Sequence, residues 1–181
     1  PKVFSNTEGY APESIVTIGK FMIRMDISDK YAMERTIGFK ERRYIEELRI
    51  LTKATAIDCL IDDRFDRIIY VIKQGDMGLA IGKSGDNIKK MSRVLGKRIE
   101  MVEFSEEPDH FIANMFKPAE ILDVQFGGDD GPVTVLVPEK SDVGLAIGKG
   151  GSTIEKARQL VRRFYCKDIG NIAVPGENEI A

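Results

Sequence analysis

The 181-residue sequence has one histidine, two cysteines and almost no net charge, −2 at neutral pH. The lone histidine, His110, stands beside Asp109 with no serine or cysteine at a recognisable spacing. That leaves no nucleophile–base pair to read and argues against an enzyme. Cys59 and Cys166 lie far apart with no CxxC or Cys/His pattern, which is what buried free thiols in a reducing cytoplasm look like. Even the run "IIYVI" at 68–72 falls well short of the roughly 18 apolar residues that a membrane span needs. The N-terminus has no basic segment leading into an apolar one, so no signal peptide is expected. A cytoplasmic location without membrane contact follows as the expectation. With 43% hydrophobic residues the chain also lacks the composition of a disordered protein. The acidic clusters "IDD" (61–63), "EEPD" (106–109) and "GGDD" (127–130) fall where turns are expected, where aspartate suits the backbone, and no cofactor or metal is indicated.

The small net charge hides an uneven distribution. Residues 73–98 hold seven cations against Asp76 and Asp86, and residues 140–163 hold six against Asp142 and Glu155. Residues 103–130 run the other way, with eight acids against Lys117. A chain that is acidic overall still binds a polyanion if its cations share a face.

Both basic segments begin beside a repeated octapeptide, "GLAIGKSG" at 78–85 and "GLAIGKGG" at 144–151, offset by 66 positions (78 to 144). The match extends to Asp76 and Asp142, Ile88 and Ile154, and Lys90 and Lys156. A period of this length is too long for a solenoid and fits a duplicated small domain. Each copy reads as αββααβ. In the first, the elements are a helix over "KERRYIEELRIL" (40–51), strands over 54–63 and 67–73, and a short helix near 76–81. After the glycines come a helix with an Ile88, Met91 and Leu95 stripe and a strand over 97–104. The second copy reads as helix 108–116, strands 119–126 and 133–137, a short helix, a helix bearing Ile154, Ala157, Val161 and Phe164, and a strand near 169–174. Three residues, Ser105–Glu107, separate the copies, which suggests two domains in a fixed relation.

The octapeptide ends like a phosphate-binding loop but does not match one. A Walker loop needs four residues between its glycines and a hydroxyl after its lysine. Three residues separate Gly78 from Gly82 and Gly144 from Gly148, and Gly150 replaces the hydroxyl in the second copy. Ala80 and Ala146 occupy the middle position of a dinucleotide fingerprint. What remains is a G-x-x-G turn between two helices: Gly82, Lys83, Ser84, Gly85 and Gly148, Lys149, Gly150, Gly151. Such a turn lets a backbone approach closely, and the helix beginning after it presents N–H groups to a phosphate. Asp86 and Ser152 are the expected N-caps of those helices.

The element order and the paired "GDMGLAIGKSGDNIKK" and "VGLAIGKGGSTIEKARQL" segments resemble tandem type II KH domains, in the arrangement of the NusA family in its short archaeal form. The fold class expected is α+β. The resemblance implies an N-terminal extension over 1–35, one KH domain over 36–105, a second over 106–175 and a tail over 176–181. It implies binding of single-stranded RNA, the nascent transcript, by a transcription elongation or termination factor, with RNA polymerase as a further partner. The RNA-gripping residues it implies are the eight turn residues, with Ile81, Ile147, Ile88 and Ile154 beneath the bases and Lys89, Lys90, Lys156 and Arg158 near phosphates. No further barrel or polymerase-binding domain of the bacterial pattern fits into this length. Residues 14–27, "SIVTIGKFMIRMDI", read as one or two extra strands, an arm contacting a partner, or a tail. Three alternatives stay open: a KH factor in ribosome assembly or RNA processing, a P-loop-like NTPase, and a KH-fold platform for protein interactions.

Overall fold

The longest unbroken apolar stretch, Ile68–Ile72, marks the centre of the molecule, because every residue of its strand is buried. A strand with only one buried face alternates apolar and polar residues, whereas one covered on both faces does not. The computed structural model describes residues 36–176, together with the backbone of two strands, β1 (Ile15–Ile18) and β2 (Phe21–Arg24). Those two form an antiparallel hairpin in which Ile15 pairs with Arg24 and Ile18 with Phe21. The stretch read as extra strands is therefore two strands, and the rest of the segment lies outside the described residues.

The first unit comprises α1 (Phe39–Thr52), β3 (Ala56–Asp62), β4 (Arg67–Ile72), α2 (Met77–Ile81), α3 (Asp86–Leu95) and β5 (Arg98–Glu103). The second comprises α4 (Pro108–Met115), β6 (Asp123–Phe126), β7 (Val133–Leu136), α5 (Lys140–Ile147), α6 (Ser152–Tyr165) and β8 (Ile169–Ala173). Both are αββααβ, and the fold is α+β. In each sheet the middle strand pairs antiparallel with the strand before it and parallel with the last: β3-β4-β5 and β6-β7-β8. Strand β6 is shorter than the 119–126 expected: its segment first bonds to β7 at Leu122, whose N–H donates to the carbonyl of Leu136 at 2.8 Å, and the strand itself runs Asp123–Phe126.

Ile68, Tyr70 and Ile72 face the helices of their own unit and pack with Leu48, Ala80 and Met91. In the second unit Val133, Val135 and Val137 take the same role against Phe111, Ala146, Ala157 and Leu160. These strands align with an offset of 65 (68 to 133), one less than the glycines. The second unit thus has one more residue between strand and turn, and α5 runs eight residues where α2 runs five.

The other face of the first sheet is covered by the second unit. Ile69, Val71 and Val102 belong to the same core as Phe111, Ile112, Met115 and Phe164. Fully burying each such side chain is worth about 1.5–3 kcal/mol, so the contact between units is a core in its own right. Phe104, in the short connection, stacks edge-on with Phe111 at 5.1 Å between ring centroids, and Phe111 does the same with Phe164 at 4.9 Å. In the second unit the outward-facing positions of β7, Thr134 and Leu136, are only part-buried, and the residues opposite them on β6 are Gln125 and Asp123.

Candidate nucleic-acid interface

The two G-x-x-G turns share one backbone conformation. Gly82 has φ 73° and ψ 173°, and Gly148 has φ 78° and ψ 168°. Ser84 (φ 53°, ψ 26°) matches Gly150 (φ 63°, ψ 19°), and Gly85 (φ 76°, ψ 16°) matches Gly151 (φ 78°, ψ 16°). Each turn opens with a glycine in a region of φ/ψ that is essentially closed to other residues. A Cβ at Gly82 would stand 2.7 Å from Cγ of Asn87, and one at Gly148 would stand 2.8 Å from the backbone nitrogen of Thr153. Asn87 is held there because its Nδ2 donates to the carbonyl of Leu79 at 2.8 Å, which folds α3 back onto α2.

The helices after the turns begin differently from expectation. Asp86 and Ser152 are the first residues inside α3 and α6 and not their caps; the cap positions belong to Gly85 and Gly151 in left-handed conformation. A left-handed glycine closes the turn and leaves no room for the extended backbone that a capping side chain needs. Neither helix start has a side-chain cap hydrogen bond. The first N–H of each helix, on Asp86 and Ser152, donates back to the carbonyls of Lys83 and Lys149, and the first turn with its positive dipole end has no capping side-chain oxygen.

Lys83, Ser84, Lys149 and Gly150 are exposed at the tips of the turns, and Lys89, Lys90 and Arg93 are exposed along α3. Among the described residues none of these five cations makes an ion pair, and Arg158, half-buried on α6, makes none either. Lys156 does not belong with them. It is 7% exposed, and its Nζ donates to Glu100 Oε2 of the first unit at 3.0 Å. The repeat equates it with Lys90, but α6 lies against the first unit, whereas Lys90 is exposed on α3.

Around Lys156 the two units are joined by buried charge. Arg67, fully buried, donates from Nε to Asp62 at 2.7 Å, from Nη1 to Glu100 at 3.0 Å and from Nη2 to the carbonyl of Ser152 at 2.8 Å. Burial works against the charged form of Glu100, but Lys156 and Arg67 outweigh it and hold its carboxyl below the usual range. Arg163 of α6 reaches Asp58 of β3 with two hydrogen bonds. None of these contacts has a spacing rule, and sequence reading did not find them.

The apolar positions divide. Ile88 and Ile154 pack against the cores of their own units; Ile81 is half-buried and Ile147 is 38% exposed. Two residues that sequence reading passed over are more open: Leu79 at 53% and its repeat partner Leu145 at 49%. Their neighbours Ala80 and Ala146 are fully buried. Each short helix thus turns its small residue inward and its large one outward, and a large apolar residue flanking a buried alanine in both copies was the available signal. No group of three or more His, Cys, Asp or Glu side chains among the described residues is placed to hold a metal ion, and no helix among them is long and apolar enough to cross a membrane.

The model of the KH domain matches residues 41–106, the first unit. Among curated proteins the chain is 34% identical over 140 residues to a probable transcription termination protein NusA of Halococcus morrhuae, covering 77% of this chain and 98% of that one. It is 37% identical over 131 residues to the protein of the same name in Halobacterium salinarum, covering 72% and 91%. Among solved structures it is similar to the crystal structure of APE1850, with a TM-score of 0.66 and 31% identity over 76% of this chain and 99% of that one.

Proposed function

The chain belongs to the NusA family of KH-domain proteins, and from that premise we propose that it is an RNA-binding transcription termination factor that grips single-stranded RNA with both G-x-x-G turns. The observation that carries this reading is the shared conformation of the two turns, each with an exposed lysine at its tip and an uncapped helix start behind it. A phosphate over such a turn meets backbone N–H groups, a helix dipole and one mobile ammonium, with no Cβ in the way at the first glycine. The KH fold clamps about four nucleotides at such a loop.

In this reading the phosphate contacts are Gly82–Gly85 and Gly148–Gly151, with Lys83 and Lys149 as the tip cations and Lys89, Lys90 and Arg158 as outer ones. Ile81 and Ile147, together with Leu79 and Leu145, supply the apolar surface on which bases rest. Lys156 leaves this set and becomes a positioning residue for α6. The boundaries 36–105 and 106–175 are the two binding modules, the partner is the nascent transcript, and contact with the RNA polymerase elongation complex is part of the same proposal. The role is that of a binding protein and not of a catalyst.

Fluorescence anisotropy of a labelled single-stranded RNA tests it, comparing wild type with a Lys83→Asp, Ser84→Asp, Lys149→Asp variant. Gly150 is kept, since its positive φ would strain a replacement. Loss of binding with an unchanged circular dichroism spectrum is the expected result. Wild-type binding by the folded variant would reduce the turns to helix connections and end the proposal. Binding should also fall with salt, log K against log [salt] having a slope of about −0.7 per phosphate contacted.

A further inference from the structure

The second turn has a neighbour from the other unit. The tip of the β3–β4 hairpin, Asp63–Asp66, lies against it: a Cβ at Gly150 would stand 4.0 Å from Cε1 of Phe65. Phe65 is held by two guanidinium groups, Arg67 at 4.8 Å and Arg64 at 5.2 Å from its ring centroid. Arg67 cannot move, because Asp62, Glu100 and the Ser152 carbonyl take its three nitrogens inside the core. Arg64 differs. Its side chain is 70% exposed, and its Nη1 stands 3.9 Å from Oε2 of Glu155, in the first turn of α6. A planar guanidinium from the first unit is therefore stationed at the helix start that follows the second turn.

We propose that Arg64 is an RNA-phosphate-contacting residue, so that the second clamp is built by both units: Lys149 from its own turn and Arg64 from the neighbouring hairpin. The inference rests on the reading of the turns as RNA clamps and names a further residue of that site. A 3.9 Å ion pair on the surface is loose, and a phosphate offers a guanidinium two oxygens in the geometry it prefers. Glu155 keeps the side chain near the helix start in the free protein, and its single loose 3.9 Å contact leaves the guanidinium's remaining donors open to a bidentate phosphate. The two clamps are then unequal despite their matching backbones. The first works with its own unit's cations, and the second needs the hairpin of its neighbour.

The test is anisotropy with the full chain and a fluorescein-labelled single-stranded RNA of about twelve nucleotides, long enough for two clamps of about four nucleotides each. It compares wild type, Arg64→Ala, Arg64→Lys and the triple turn variant across a salt series. Arg64→Ala is expected to weaken binding several-fold and to flatten the salt dependence by about 0.7, one single-strand phosphate contact, with an unchanged melting temperature. Arg64→Lys should recover most of the slope. The proposal is overturned if Arg64→Ala binds with wild-type affinity and slope while the turn variant has lost binding; the clamps then stand without Arg64. If the turn variant itself binds as wild type, the reading of the turns falls, and Arg64 falls with it.

Discussion

Arg163 and Asp58, 105 positions apart in the chain, meet across the two units with Nε 2.6 Å from Oδ2 and Nη2 2.9 Å from Oδ1. Asp58 is fully buried and also accepts the backbone N–H of Cys59 at 2.8 Å, while the second donor of Arg163 reaches the carbonyl of Thr36 at 3.0 Å as well. Removing one partner of a buried pair leaves the other charged and desolvated. Asp58→Ala should therefore destabilise the protein by about 3 kcal/mol, read from urea denaturation. Because the core runs through both units, the wild type should unfold in one transition, the same by far-UV circular dichroism and by an aromatic probe. Two separate transitions in the wild type would contradict the continuous core.

Glu100 ties acid stability to the same boundary. Its folded carboxyl titrates below its usual value, held down by Lys156 and Arg67 against the effect of burial. The stabilisation it gives is therefore full above the unfolded carboxyl's value of about 4.3 and disappears as pH falls through the lower folded value. Glu100→Gln should melt below wild type at pH 7, and the gap should narrow below about pH 4. A gap that stays constant from pH 7 to pH 3 would show that the charge of Glu100 does not contribute.

The four glycines that frame the turns should not be equivalent. Gly82→Ala places a methyl 2.7 Å from Cγ of Asn87 at a backbone conformation closed to alanine, whereas Gly85→Ala places one in open space at a left-handed position. The first should cost about 2–3 kcal/mol and the second about 1 kcal/mol, both measured by thermal or urea unfolding. Equal costs would mean that the Asn87 contact does not hold the turn.

The two thiols should separate by reactivity. Burial, with the nearby Asp58 charge, pushes the Cys59 thiol up to about 12, while Cys166 is exposed at the end of α6. A thiolate-selective reagent at pH 8 should titrate one group quickly in the native protein and the second only after denaturant is added. Two fast groups would place Cys59 nearer the surface than its burial allows.

The repeat made much of this molecule readable in advance. The element order, the two turns and the exposed lysines follow from local patterns: glycine spacing, apolar periodicity and residue type. What failed depended on neighbours. Lys156 is indistinguishable from Lys90 in its own copy and differs only because Glu100, 56 positions away, stands beside it. Asp86 and Ser152 suit a cap by type, but the glycine before each had already taken that position in left-handed form. The unbroken apolar run "IIYVI" fits a strand covered on both faces. It could not say that the second cover was the other half of the same chain. Arg67 announces nothing in sequence; its value lies in the three oxygens it reaches.

The core that passes from Ile69, Val71 and Val102 into Phe111 and Phe164 places no flexible joint between the halves. Their separation is then a constant, and all adjustment falls to the nucleic acid. On the proposed reading of both turns as clamps, a strand that spans the gap with one nucleotide to spare would engage both halves, and a strand one nucleotide too short would engage one. On that reading, occupancy of both turns should switch on over a narrow interval of strand length, which would make the molecule a gauge of how much unpaired RNA lies exposed.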